Sequence, residues 1–497
     1  MFRTFLSLCI VLGLVQGCGG GSGNPFVPDF DLDLDDLDTP LQIEIGNPLF
    51  TTPPSIGSPQ LRAQTFDLAD VGFVEQEYFV EGTAISFRNV NQLLADGIWE
   101  TEPAEEASFR VRIVVHKPAD PDTPLNGGIV VEWLDQSTGS ELPLCWGLGH
   151  SEMYRDGTVW IGVSAQAAGI ERLKELDPDR YARLTHPGDS FSYDIFAQIA
   201  RGLGNPDGVD PLDGKLRGSR DACGHSGAAD RLVTYVNGVE PLYLSSGIGG
   251  LIIVSRSSNG APLSQPPQAD IPVPDATRLR SDGRKPVLNL QTETDLTQRG
   301  SDAARQDDSQ IYRLWEVAGT ANLDYYSIEA GRADTTGLPE FAAVVEQASL
   351  DQFADCDLPV NSGPYRSAFN RALEEMSVWS GGGATPRAAD RLQLDAQGDL
   401  VLGSNGNASG GLRTPHLDAP TAVLSGAGNS GDPRCDRLGT TALFTADRMA
   451  SLYVDQAGYV QAVTEATNAA VAARFLSPQD ADAIIEWAPS QWSNQVD

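Results

Sequence analysis

The chain has 497 residues, of which 41% are hydrophobic and 21% charged. That composition excludes a wholly disordered polymer and leaves room for several domains, or for one large domain with insertions. Its 68 acidic and 34 basic residues give a net charge of −34, and Lys and Arg cluster nowhere along the sequence. Nucleic acid is therefore excluded as a partner, because phosphate binding needs concentrated cations. The same charge opposes the approach of a strongly acidic substrate.

The N-terminus bears on compartment. Arg3 precedes an apolar stretch from Phe5 to Val15, far shorter than the roughly 20 residues a membrane-spanning helix needs. Val15-Gln16-Gly17-Cys18 resembles a bacterial lipobox. Residues 1–17 are then a lipoprotein signal peptide, and Cys18 carries lipid on its sulfur. Each acyl chain contributes about 0.8 kcal/mol per buried CH₂, so the protein is expected to touch the membrane through this anchor alone. Gly19, where an Asp would signal otherwise, points by analogy to the outer membrane of the cell envelope. Residues 18–60 read as an acidic flexible tether, in which Asp29, Asp31, Asp33 and Asp35 alternate with Phe30, Leu32 and Leu34. The glycine spacing of a calcium loop is missing, so this is a self-repelling spacer. Export leaves Cys145, Cys223, Cys356 and Cys435 in an oxidising compartment, with three pairings open. With no CxxC and no dense Cys/His cluster, no metal site is expected.

From about residue 65 the pattern turns periodic. Phe109 to His116 alternates as a strand. Short apolar runs follow at 127–133, 158–164, 249–254, 287–290 and 314–317. A helical stripe, Ile195, Phe196, Ile199 and Leu203, lies between them. This alternation predicts an α/β fold over 61–335: a mostly parallel central sheet with helices on both faces, binding its ligand beyond the carboxyl ends of the strands. Residues 336–497 read as a C-terminal extension of helices and loops. It has a helix over 364–379, a Gly-rich irregular stretch at 380–440 that is a candidate lid, and helices again over 446–488. Ser477-Pro478 supplies a helix start.

The chemistry centres on Gly224-His225-Ser226-Gly227-Ala228, followed by the helical stripe Leu232, Tyr235 and Val236. Small residues around Ser226 fit a sharp strand-to-helix turn. Such a turn pushes the serine hydroxyl outward and aims the Gly227 N–H at a developing oxyanion. Downstream, the strand Pro286 to Gln291 ends at Glu293 and Asp295, where a triad acid falls in Ser-then-acid chain order. Asp295 is the expected acid and Glu293 the alternative. The strand entering the turn is unusually polar, Arg220-Asp221-Ala222-Cys223. It is expected to enter the sheet late and leave Arg220 and Asp221 exposed.

Taken together, GGIVVEWLD, WIGVSAQAAGIE, GHSGAADRLVTYVNGVEP, PVLNLQTETD, RLWEVAGT and GGLRTPHLDAPTA resemble the large bacterial alpha/beta hydrolase domain family over roughly residues 65–490. The resemblance implies an α/β-hydrolase fold and hydrolysis of a small-molecule or lipid ester, with no cofactor. It also implies Ser226 as nucleophile, a second oxyanion amide in the loop beginning at Leu134 and Asp135, and a Cys356–Cys435 disulfide. The sequence departs from the family at its general base. Ala318-Gly319-Thr320 leads to Asn322 where the family has histidine, and Arg366 replaces another histidine. A neutral amide cannot take the serine proton near pH 7. Among His116, His150, His186, His225 and His416, only His416 follows both Ser226 and Asp295, and it is the expected base. His225, adjacent to Ser226, is expected to point away; His116 reads as structural, and His150 and His186 as loop-orienting. The competing expectation is a decayed triad on a binding or scaffolding lipoprotein.

Overall fold

The computed structural model describes residues 42–60, 66–120, 122–123, 128–137, 139–215, 218–329, 338–350 and 353–496. The signal peptide, Cys18 and the tether up to residue 41 lie outside the described residues.

Among the described residues ten strands form one sheet: β1 Leu49–Thr51, β2 Phe73–Asn89, β3 Thr101–Pro118, β4 Ile129–Trp133, β5 Val159–Val163, β6 Asp207–Gly208, β7 Arg220–His225, β8 Gly250–Val254, β9 Val287–Thr292 and β10 Tyr312–Val317. Their order is β10-β9-β8-β7-β4-β5-β3-β2-β1-β6. From β5 through β4, β7, β8 and β9 to β10 every pairing is parallel, whereas β1, β2 and β3 pair antiparallel. The expected α/β architecture is present. Its tether, however, ends earlier than residue 60, because β1 is already hydrogen-bonded to β2.

The period of two along each strand sorts side chains between the two faces. Ile129, Val131 and Trp133 of β4 join one apolar cluster with Ile195, Phe196 and Ile199 of the helix Ser192–Gly202 and with Leu232 of the helix Gly227–Thr234. Val130 and Leu134 point to the other cluster, shared with Trp146 of the helix Leu144–Arg155 and with Phe369 and Met376 of the helix Tyr365–Ser380. That last helix comes from the segment read as an extension, so residues beyond 336 help cover the sheet. The stretch 380–440 holds the strand Ala422–Ser425, paired with Thr440–Leu443. Disulfides join Cys145 to Cys223 and Cys356 to Cys435. The first ties a covering helix to β7, and the second fixes the turn Cys435–Arg437.

The polar entry of β7 is not left outside the sheet. Asp221 is buried and accepts hydrogen bonds from the Ser219 hydroxyl (3.1 Å) and the Ser380 hydroxyl (3.0 Å). Arg220 turns its Nε to the Gly247 carbonyl at 2.8 Å. Asp221 is satisfied by two neutral hydroxyls, which lowers the cost of holding its carboxyl away from water. Loss of water pushes the Asp221 carboxyl up to about 6. A group that binds its proton more tightly when folded favours folding at low pH and loses that contribution as the pH rises through its folded value. Between pH 4 and 7 the wild type should therefore lose about 2 kcal/mol of stability relative to Asp221→Asn. Urea unfolding at several pH values measures this; parallel pH profiles contradict it.

Candidate active site

β7 stops at His225 and the next helix starts at Gly227. Between them Ser226 has φ 54° and ψ −116°, a conformation that costs a residue with a Cβ roughly 1–3 kcal/mol. The surroundings hold it there. The Ser226 N–H donates to the Val254 carbonyl (3.0 Å), and its carbonyl accepts from the Asp230 N–H (3.2 Å). A Cβ at Gly224 would stand 2.8 Å from the Ala228 carbonyl, so only glycine lets the helix fold back this tightly. The sharp corner expected from Gly-His-Ser-Gly-Ala is present at the carboxyl end of a central strand.

Two side chains meet the Ser226 hydroxyl. His225 Nδ1 lies 3.0 Å from Oγ, and both Oδ1 and Nδ2 of Asn322 lie 3.3 Å away. Asn322 Nδ2 also donates to Asp295 Oδ1 at 3.0 Å. Ser226, Asn322 and Asp295 thus stand in line, with a carboxamide where an imidazole would relay a proton. Asp295 is fixed from its other side: Oδ2 accepts from the Thr292 N–H (2.8 Å) and hydroxyl (2.7 Å). Burial raises its proton affinity, and the Arg299 guanidinium opposes that rise. Glu293, the alternative acid, is spent elsewhere. Its oxygens accept from the Gly319 N–H (2.6 Å) and the Gly426 N–H (2.9 Å), clamping the loop that delivers Asn322. Burial pushes this carboxyl up to about 7.

Two sequence expectations about histidine are corrected. His225 does not point away, because the positive φ of Ser226 folds Oγ back toward the preceding ring. His416 is not brought to Ser226. It sits in the short helix Pro415–Asp418, its Nε2 donates to the Ala342 carbonyl at 3.2 Å, and it is half-buried near Tyr459, Val463 and Ile484. Leu417 explains the orientation: it enters the apolar cluster of Ala318 and Leu424 and turns its neighbour toward the C-terminal helices. Of the others, His116 bonds to Tyr154 and Glu75, each at 3.0 Å. His150 stacks on Trp146, and His186 donates to the Ala165 carbonyl at 3.0 Å.

Burial first, then the nearby Arg299 and Arg437 charges, hold His225 down to about 3. At neutral pH the ring is uncharged and Nδ1 can accept a proton, but among the described residues no carboxylate is bonded to the ring to stabilise the imidazolium that forms. It is a well-placed, weak base.

The oxyanion side also departs from expectation. The Leu134 N–H is already bonded to the Val163 carbonyl (3.2 Å) and is not available as a donor. The carboxyl of the next residue, Asp135, faces the start of the helix. Its Oδ1 accepts from the Ala228 N–H at 3.3 Å, and the Gly227 N–H also bears on it. Its Oδ2 accepts from the Ser137 N–H (3.0 Å) and hydroxyl. Burial outweighs these bonds and raises the proton affinity of Asp135. The sequence placed this loop at the site but assigned the role to a backbone amide; an acidic residue directly beyond β4 was the signal for a side chain.

Ser226 lines a cleft of about 750 Å³ with Ser137, Leu142, Leu323, Phe353 and Arg437. Among the described residues no group of His, Cys, Asp and Glu is arranged to hold a metal ion. The arrangement suits attack by a serine oxygen on an acyl carbon at the floor of a partly apolar cleft.

A family described as alpha/beta hydrolase domain matches residues 45–486. No curated protein matches the chain. Among solved structures the chain is similar to an α/β serine hydrolase without a lid from Xanthomonas campestris, at 13% identity over 42% of this chain and 78% of that one, with a TM-score of 0.26. It is similar to the esterase Est1E from Butyrivibrio proteoclasticus at 10% identity over 42% and 84%, TM-score 0.23. A dienelactone hydrolase from Anabaena variabilis shares 12% identity over 47% and 86%, TM-score 0.24.

Proposed function

Because the chain belongs to the alpha/beta hydrolase domain family, we propose that it hydrolyses carboxylic esters in the cell envelope, with Ser226 as nucleophile and His225, in place of the expected His416, as proton acceptor. The observation that carries this reading is the 3.0 Å approach of His225 Nδ1 to Ser226 Oγ. Oγ attacks the ester carbonyl while its proton passes to Nδ1. The tetrahedral intermediate collapses, and the departing alcohol takes that proton. Water then attacks the acyl-serine, gives a proton to Nδ1, and the carboxylic acid leaves as Ser226 recovers its hydrogen. The Gly227 and Ala228 amides hold the oxyanion once the substrate oxygen displaces the Asp135 carboxyl. Asp295 orients Asn322, which keeps Oγ facing the cleft.

A second reading, a silenced triad on a binding lipoprotein, is favoured by two observations: the carboxamide of Asn322 at the base position and the Asp135 carboxyl over the oxyanion amides. Hydrolysis of 4-nitrophenyl esters separates the two. Turnover by wild type should exceed that of Ser226→Ala and His225→Gln by about 10²-fold or more, with His416→Ala unchanged. Asn322→His, which sets an imidazole between Asp295 and Ser226, should raise the rate by a further ~10²-fold or more. Equal rates for wild type and Ser226→Ala would establish the silenced reading.

Anchoring through Cys18 belongs to the same proposal and is supported by the Val-Gln-Gly-Cys sequence that follows a short apolar segment. Among the described residues no helix is long and apolar enough to cross a membrane. Cells expressing the full chain with labelled palmitate should label it, and Cys18→Ser should abolish the label; equal labelling of both contradicts the anchor.

A further inference from the structure

The wall of the Ser226 cleft carries more arginines than carboxylates. Arg172, Arg434 and Arg437 line it against a single carboxylate, Glu141. Glu141 is paired to the buried Arg112. Arg172 is paired to Glu175 at 2.8 Å and Arg434 to Asp432 at 2.8 Å. Arg437 differs from all of these: among the described residues its guanidinium makes no hydrogen bond and no ion pair. Asp135, Asp295 and Asp230 attract it through space without bonding to it, and the Arg299 charge opposes them. Asp230 and Asp295 share Arg299 at 3.7 Å each, and Asp135 is bonded to Ser137 and the helix amides. Arg437 is also held firmly. It ends the turn that begins at disulfide-bonded Cys435, and its carbonyl accepts from the N–H of Leu323, the residue after Asn322, at 3.1 Å.

A guanidinium with open donors, carried on a fixed backbone in a cleft otherwise walled by Leu142, Leu173, Leu176 and Phe353, matches a ligand with a carboxylate at the end of an apolar segment. We propose that Arg437 binds a carboxylate, and that the esters this site takes carry one in addition to the ester bond. The overall charge of −34 argues against acidic substrates as a class; this local cluster admits a monoanion with an apolar body.

This inference rests on the esterase reading for its substrate, but not for its binding test. Calorimetry on the Ser226→Ala protein should show 4-phenylbutyrate bound about tenfold or more tightly than 4-phenylbutyramide. Adding Arg437→Ala should weaken the acid by about tenfold or more and leave the amide unchanged, and Arg437→Lys should recover part of the loss. Unchanged thermal melting midpoints establish that these variants are folded. Equal affinity for acid and amide, no binding of the acid at millimolar concentration, or an acid affinity untouched by Arg437→Ala overturns the proposal. In turnover, 4-nitrophenyl hemiglutarate should be preferred to 4-nitrophenyl pentanoate through KM, and Arg437→Ala should erase that preference. A protein that hydrolyses neither ester while still binding 4-phenylbutyrate through Arg437 refutes the esterase reading and leaves the carboxylate site standing.

Discussion

The positive φ of Ser226 is the constraint from which the rest of the site follows. A residue with a Cβ adopts that conformation only where its surroundings impose it. Here the Val254 carbonyl, the Asp230 amide and the side-chain-free Gly224 do so. The turn lifts one hydroxyl to the end of a central strand, folds it back against His225, and points the first amides of a helix at the same small volume. β8 matters to this site through Val254, and β9 through the capped turn that fixes Asp295.

Around that hydroxyl the polar groups are arranged for position more than for charge. Asn322 is neutral. Burial keeps His225 uncharged, and it raises the proton affinity of Asp135 and Asp295 against their hydrogen bonds. A serine in such surroundings is oriented well and activated weakly. Effective molarity from positioning can supply much of a rate enhancement, whereas a base held far below neutral pH supplies little driving force for proton transfer. The serine corner is present here, with the carboxamide of Asn322 between Ser226 and Asp295.

How much of this could be read from the sequence depends on which physical signal each residue leaves there. Periodicity is a strong signal: the apolar runs that become β4, β5, β8, β9 and β10 announce a parallel sheet, because burial on both faces demands unbroken hydrophobicity. Small residues flanking Ser226 announce the turn for a steric reason visible in composition. The polar start of β7 misled, since Asp221 finds its hydroxyl partners at Ser219 and at Ser380, the latter 159 residues on, and no local pattern encodes such a partner. Chain order misled at His416, because order constrains topology and leaves orientation to packing; Leu417 decides where that ring goes. Adjacency misled at His225, since side chains of neighbouring residues diverge on a regular strand and converge across a positive-φ corner. Arg437 carries no sequence signature at all; it matters through the pairs that its neighbours make and it does not.

The claim that one hydroxyl at this corner reacts with acyl-type electrophiles is tested most directly by a fluorophosphonate probe on the purified full-length protein, with the modified peptide read by mass spectrometry. The account predicts one probe per chain, on Ser226. Folded protein that stays unmodified, or a probe attached to another residue, would contradict it.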